Sequence, residues 1–320
     1  MENHEETSQC PGFRDRKTGL VMFGILELIL GVLCALIMFG IIGFPSLQKY
    51  PAPPMNAGSM ARAAFPAFLL IWTGIGSMKI RRWARALSLI IALCWLLAGI
   101  SGLILMFVFL PHTHGQMSQS VQAAKEAPVF GSYLMLGLKA VIYVIVPAIF
   151  ILFYASPNVK ATCELRDPVV RWTDKCPLPV LTVSMMYGLA AGLMLSRGLS
   201  FWAIPFFGFV LSGWAGSAAA LINILLLSYV AWGTYKLKIT AWWCAVFMTA
   251  AWALSATITL SRVSLWDFYE KMNFPKQYLE IMTDYIMPHY SSVAMFSRVW
   301  VVCILGYLLF VKKYFSSRSA

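Results

Sequence analysis

Three ionisable side chains fall within the long apolar runs of this 320-residue chain: Glu27, Lys139 and Arg298. Each costs about 2.5–3.5 kcal/mol at the centre of a bilayer, so such a group either serves a ligand or ion pathway or reaches back to the nearer interface. At a rise of about 1.5 Å per residue, Glu27 lies roughly 12 Å from one face, and Lys139 and Arg298 roughly 10 Å from the other. A Glu27–Lys139 pair lining a polar cavity is one expectation; snorkelling of all three is the alternative. Two cysteines, Cys163 and Cys176, lie in the longest polar run between apolar segments, ATCELRDPVVRWTDKCPLPV at 161–180. Their spacing is wider than the C-x-x-C of a redox pair. Residues 155–178 also offer two thiols, three carboxylates (Glu164, Asp167, Asp174) and no histidine towards the four ligands that zinc takes. What remains is a connector, with Trp172 as an interfacial anchor and with Arg166 and Arg171 facing anionic headgroups or pairing with Asp167 and Asp174. A partner-docking surface is the competing reading. His112, His114 and His289 with Asp284 form a further metal-ligating set, for which solvated histidines are the expectation.

The spans contain no Asp and no His, and the chain has no HExxH, GxSxG or glycine-rich phosphate loop. Ser88, Ser101, Ser184, Ser212 and Ser228, with no base in sight, read as helix-packing residues. No catalysis, metal or cofactor is expected.

These residues must be positioned by membrane helices. Sixty per cent of the chain is hydrophobic and 12% charged, with mean hydropathy +0.73. At about 20 apolar residues per crossing, the chain reads as an all-α polytopic transmembrane bundle of about eight spans. They are 19–43, 61–78, 86–110, 132–154, 179–197, 209–235, 239–260 and 291–311. Residues 201–208, FWAIPFFG, are expected at the interface ahead of the sixth span, with a ninth span there as the rival. Pro66 and Pro147 are expected to kink spans two and four. Gly188/Gly192 and the small residues Gly213, Gly216 and Ala218–Ala220 are expected at close helix contacts.

Alternate connecting segments hold 16 of the 25 basic residues and the opposite ones seven, which puts both termini and 155–178 in the cytoplasm. The net charge of +12 then suits anionic lipid headgroups and requires no nucleic acid. The polar residues 1–18 precede an apolar run too long for a cleavable signal, so that run is expected to remain as the first span. A shift of 157 aligns the halves, with Gly31 on Gly188, Gly76 on Gly233, Ala84 on Ala241 and Trp95 on Trp252. This suggests a parallel four-plus-four internal repeat. The chain divides accordingly into a tail and four-span half (1–155), a connector (156–178) and a second four-span half with a short tail (179–320). The non-membrane segments 115–128 and 264–290 are long enough to fold, the latter as interfacial helices.

The run WTDKCPLPVL after a helix ending FYASPNVKATCE, with the opening DRKTGLVMFGILELILG, resembles uncharacterised bacterial multi-pass membrane proteins over most of the chain. The resemblance implies a bacterial inner membrane and brings no activity or site residue. The expected role is binding or transport of a small or lipid-like molecule through the bundle. A membrane scaffold or sensor acting through 155–178 and 264–290 is the alternative, and an intramembrane enzyme a third.

Overall fold

The computed structural model describes residues 14–43, 57–120, 134, 136–196, 203–271 and 290–316. The chain is a multi-pass membrane protein with an all-α bundle, and seven of its helices are long and apolar enough to cross a bilayer. The helices are α1 (Lys17–Gly43), α2 (Ala57–Met78) and α3 (Arg82–Ser120), then a π-helical turn (Val141–Ile145) running into α4 (Val146–Ala155). A short α5 (Pro157–Arg166) and a 3₁₀ turn (Trp172–Asp174) form the connector. After it come α6 (Leu178–Ser196), α7 (Gly213–Tyr235), α8 (Ile239–Arg262), α9 (Leu265–Lys271), α10 (Tyr290–Val311) and α11 (Lys313–Ser316). Helix α10 stands where the eighth span was predicted.

Two compact units result. The first is drawn from Met1–Pro54, Ala63–Ile100 and Met135–Lys175, and the second from Met55–Arg62, Ser101–Leu134 and Cys176–Ala320.

In the first unit α1 and α2 cross backbone to backbone. A Cβ on Gly24 would lie 2.8 Å from the Gly74 carbonyl oxygen, and one on Gly74 would lie 2.7 Å from that of Gly24. Glycine is required at both positions because neither backbone can yield. Helix α3 packs on α2 through Ala84 against Gly76. The fourth span closes the ring onto α1, where Phe23 stacks on Phe153 with ring centroids 3.9 Å apart. Pro147 explains the π-helical turn. It has no N–H for the carbonyl four residues earlier, Tyr143, and the widened turn sets that carbonyl against the bare backbone of Gly99. Leu20, Ile80, Ala92, Phe150, Tyr154, Val159 and Cys163 form the apolar core at this end.

In the second unit α6 packs on α7, α7 on α8, α8 on α10 and α10 back on α6. The buried face of α7 is a stripe of Gly216, Ala220, Ile224, Leu227, Val230, Gly233 and Thr234. Residues 204–211 precede the sixth crossing helix, as expected, and are not a ninth span. They form a β-hairpin, Ile204–Phe206 paired with Phe209–Leu211, turning on Phe207 (φ 41°) and Gly208 (φ 104°). Helix α8 satisfies that turn: Phe207 N–H donates to Ser255 Oγ at 3.0 Å and Gly208 N–H to Thr259 Oγ1 at 3.0 Å. The apolar run is therefore a crossing helix of 23 residues preceded by the hairpin.

The two helix hairpins α2–α3 and α7–α8 turn in the same way. Arg81 N–H donates to Gly76 O and Ile80 N–H to Ser77 O; 157 positions on, Lys238 N–H donates to Gly233 O and Leu237 N–H to Thr234 O. Each is a Schellman cap whose left-handed residue is Ile80 (φ 53°) or Leu237 (φ 56°) instead of the usual glycine. After each turn, position 85 or 242 donates to a carbonyl of the unit's last long helix: Arg85 Nε to Tyr154 O at 3.0 Å, and Trp242 Nε1 to Leu308 O at 2.7 Å.

The predicted close contact at Gly188/Gly192 is corrected. A Cβ on Gly188 would meet Ala231 at an ordinary 3.6 Å, and one on Gly192 or Gly213 would meet nothing within 4 Å among the described residues. The tight crossing is at Gly24 and Gly74. G74A should therefore lower thermal stability by about 1–3 kcal/mol through overpacking, whereas G192A should change it little. Equal melting temperatures for the two variants would show that the crossing is looser than described.

Candidate functional site

Glu27 is 1% exposed, and it is enclosed by one or two residues from each of the other three long helices of its unit. Thr73 and Ser77 come from α2, Ser88 from α3 and Tyr154 from α4, and all four hydroxyls act on the Glu27 carboxyl. All four residues are buried as well. The Gly24–Gly74 crossing brings α2 this close, since a Cβ on Gly74 would also stand 3.2 Å from Glu27 Cβ. Tyr154 is fixed in turn by the Arg85 guanidinium on its carbonyl and by edge-on contacts with Phe23 and Phe153 and a tilted one with Phe150.

Two of the four hydroxyl hydrogens of the pocket are committed elsewhere. Thr73 Oγ1 donates back to Leu69 O at 2.9 Å, and Tyr154 Oη donates to Ser77 Oγ at 2.9 Å. Glu27 Oε2 and Ser88 Oγ are buried without a hydrogen-bond partner. Unsatisfied polar atoms in an interior are costly, so a set of them gathered on one carboxyl requires a physical reason.

Helix packing does not supply that reason. At the positions 157 further on, Glu27 is replaced by Ser184, Thr73 by Val230, Ser77 by Thr234, Ser88 by Ala245 and Tyr154 by Val311. Val230, Ala245 and Val311 are fully buried in the second unit. Ser184 there simply donates to Ala231 O at 2.6 Å. Three of the five aligned positions are thus apolar in the second unit, while Ser184 and Thr234 keep a hydroxyl that bonds to a backbone carbonyl.

Lys139 and Arg298 are both exposed, and Lys139 is not among the groups acting on Glu27. The predicted site residues are therefore not brought together as a charge pair. Glu27 belongs to a hydroxyl pocket whose other members sequence reasoning had assigned to packing, as with Ser88, or had not singled out. The halves' alignment held the one available signal: Thr73, Ser88 and Tyr154 in the first half are set against Val and Ala in the second.

The connector is folded and tied to the α2–α3 turn. Asp167, 2% exposed, pairs with Arg81 at 3.4 Å and Arg171 at 3.2 Å and accepts from Arg82 N–H at 3.3 Å. Arg82 also reaches Glu164 at 3.4 Å and Asp174 at 3.5 Å. Arg166 pairs with Asp15 at 3.0 Å instead of with Asp167 or Asp174. Asp174 accepts from Arg171 N–H at 3.0 Å to close the 3₁₀ turn, and Trp172 is 43% exposed, as an interfacial anchor would be. Cys163 and Cys176 are buried thiols and form no disulfide. Burial pushes the Cys163 thiol up to about 11, which removes it from thiolate chemistry. Among the described residues no three His, Cys, Asp or Glu side chains gather as a metal site. The side chains of His112 and His114, and all of Asp284 and His289, lie outside the described residues. No protein-family model, curated protein or solved structure matches the chain.

Two outcomes follow from this geometry. Burial raises the Asp167 carboxyl, but hydrogen bonds from Arg171 and from Arg82 N–H, with the charges of Arg171 and Arg81, outweigh it and hold the group below its ordinary value. Its contribution is complete above the unfolded carboxylate range near pH ~4 and is lost as pH falls through the lower folded value. D167N should cost about 1–3 kcal/mol at neutral pH, towards the lower end because both arginines keep solvent contact, and should flatten the acid limb of a melting-temperature profile. An unchanged acid limb would contradict the pairing. Within the pocket, a double-mutant cycle of E27Q with S88A should show coupling above about 0.5 kcal/mol, and one of E27Q with K139Q should be additive. The opposite pattern would restore the Glu27–Lys139 pair.

Proposed function

We propose that the protein binds or moves a small or lipid-like molecule through its helical bundle without catalysis, and that the Glu27 pocket is where a charged or polar group is received. One observation carries this reading: a buried carboxyl has oxygens around it at positions the second unit fills with Val230, Ala245 and Val311. A bundle serving only as a scaffold would gain stability from the apolar filling. Five ionisable or hydroxyl side chains converging from four helices are the kind of costly polar feature that marks a ligand or ion pathway within a membrane.

We further propose a bacterial inner membrane, with both termini and 155–178 in the cytoplasm and anionic headgroups against its basic residues. The excess of Lys and Arg in alternate segments supports that orientation. The shared turn geometry at Ile80 and Leu237 supports a duplicated four-span element, and the contrast between the two pockets then assigns the polar site to the first copy.

Orientation is testable with reporter fusions: those after Lys79, Asp167, Lys238 and Lys313 should report cytoplasm, and those near Asn56, Gln119 and Tyr278 the outside. A cytoplasmic signal at Tyr278 would break the scheme. The pocket is testable with dicyclohexylcarbodiimide, an apolar reagent that adds to protonated carboxyls. A pocket that opens to receive a solute should label at Glu27, as mapped by peptide mass spectrometry, and labelling should rise as pH falls. A Glu27 that never labels, in protein whose exposed carboxyls do, would favour the sealed scaffold.

A further inference from the structure

The lone pairs around Glu27 define a ligand more closely than the pocket's polarity does. Thr73 and Tyr154 direct their hydroxyl hydrogens to Leu69 O and Ser77 Oγ, so their oxygens turn lone pairs towards the carboxyl. Ser88 Oγ and Glu27 Oε2 have no partner. Ser88 keeps a hydrogen that can turn to Glu27, but the Thr73 and Tyr154 lone pairs facing the carboxylate repel it, and a single proton on Glu27 could satisfy only one of them. A hard cation satisfies several at once, because such ions take oxygen ligands from carboxylates and neutral groups alike. The charge sets the valence. One carboxylate faced by hydroxyls offsets one positive charge, and a divalent ion would leave an uncompensated charge in the bilayer interior.

We propose that the pocket binds one monovalent alkali cation, with Glu27 supplying the charge and Ser88, Thr73 and Tyr154 the neutral oxygens. The inference rests on the reading of this pocket as a receiving site and names what it receives. The cation and a proton compete for Glu27 Oε2, so that the pocket is neutral in either state. Tyr154 is the titratable group facing Glu27 from α4, while α2 and α3 present the hydroxyls of Thr73, Ser77 and Ser88. Behind them the charged Arg85 is bonded to the Tyr154 carbonyl.

The test follows the rate of carbodiimide labelling at Glu27 in the full-length protein in liposomes. NaCl, LiCl or KCl is titrated against N-methyl-D-glucamine chloride at constant ionic strength. At least one alkali ion should suppress labelling, and in the range where the carboxyl is mostly protonated the half-protecting concentration should rise about tenfold per unit fall in pH, as one-for-one competition requires. S88A and T73V should still label but need about tenfold more salt for protection, the equivalent of about 1.4 kcal/mol per lost ligand. Each variant's melting temperature checks that it is folded, and T73S should restore protection. Labelling that depends on pH but ignores all three ions would overturn the cation site and leave a receiving pocket that exchanges protons. Absence of labelling at any pH would sink the receiving pocket itself.

Discussion

A carboxyl carried into a membrane bundle must have its charge neutralised, and the first unit is organised around that constraint at Glu27. Among the described residues no cationic side chain is brought against it as an ion pair. Four hydroxyls from three other helices act on it, and two of these direct their hydrogens away from the carboxyl. This is achieved only because α1 and α2 touch backbone to backbone at Gly24 and Gly74 and because Tyr154 is clamped by Arg85 and the phenylalanines of α1 and α4. The polar centre thus depends on a backbone-to-backbone helix crossing.

The connector extends the same organisation to the polar end of the unit. Tyr154, in α4, is separated from α5 by Ala155 and Ser156, and α5 buries Val159, Thr162 and Cys163 in the core that holds Leu20 and Ile80. The Asp167 ion pairs then tie the connector to Arg81 and Arg82 beside the Ile80 turn. Any movement of α2 against α3 at the pocket acts on a turn that is itself anchored to the connector. Residues 155–175 therefore serve as part of the first unit's packing.

Much of this was legible in the sequence. Span positions follow from apolar length, so each predicted span overlaps a helix, although the sixth starts at Gly213 after strand residues 209–211, and the paired turns follow from Gly76/Gly233 and Ala84/Ala241. Glu27 stood out because a carboxylate in an apolar run is expensive. Its partners did not, because Ser and Thr in membrane helices ordinarily bond back to their own helix, as Thr73 does to Leu69, and composition cannot show which of them also face a neighbour. Gly24 and Gly74 lie outside the GxxxG spacing that drew attention to Gly188, and a contact between two helices leaves no periodicity in either. The hairpin at 204–211 was hidden for a similar reason: its turn is stabilised by Ser255 and Thr259, almost 50 residues downstream.

The central claim is that Glu27 is held by neutral oxygens and not by a charged partner. Infrared difference spectroscopy across a pH titration, with the protein in lipid, addresses it most directly. The account predicts a carboxylic-acid C=O band that E27Q abolishes, that S88A and T73V shift, and that K139Q leaves in place. A Glu27 signal that stays in the carboxylate form throughout, insensitive to S88A and T73V but altered by K139Q, would contradict it.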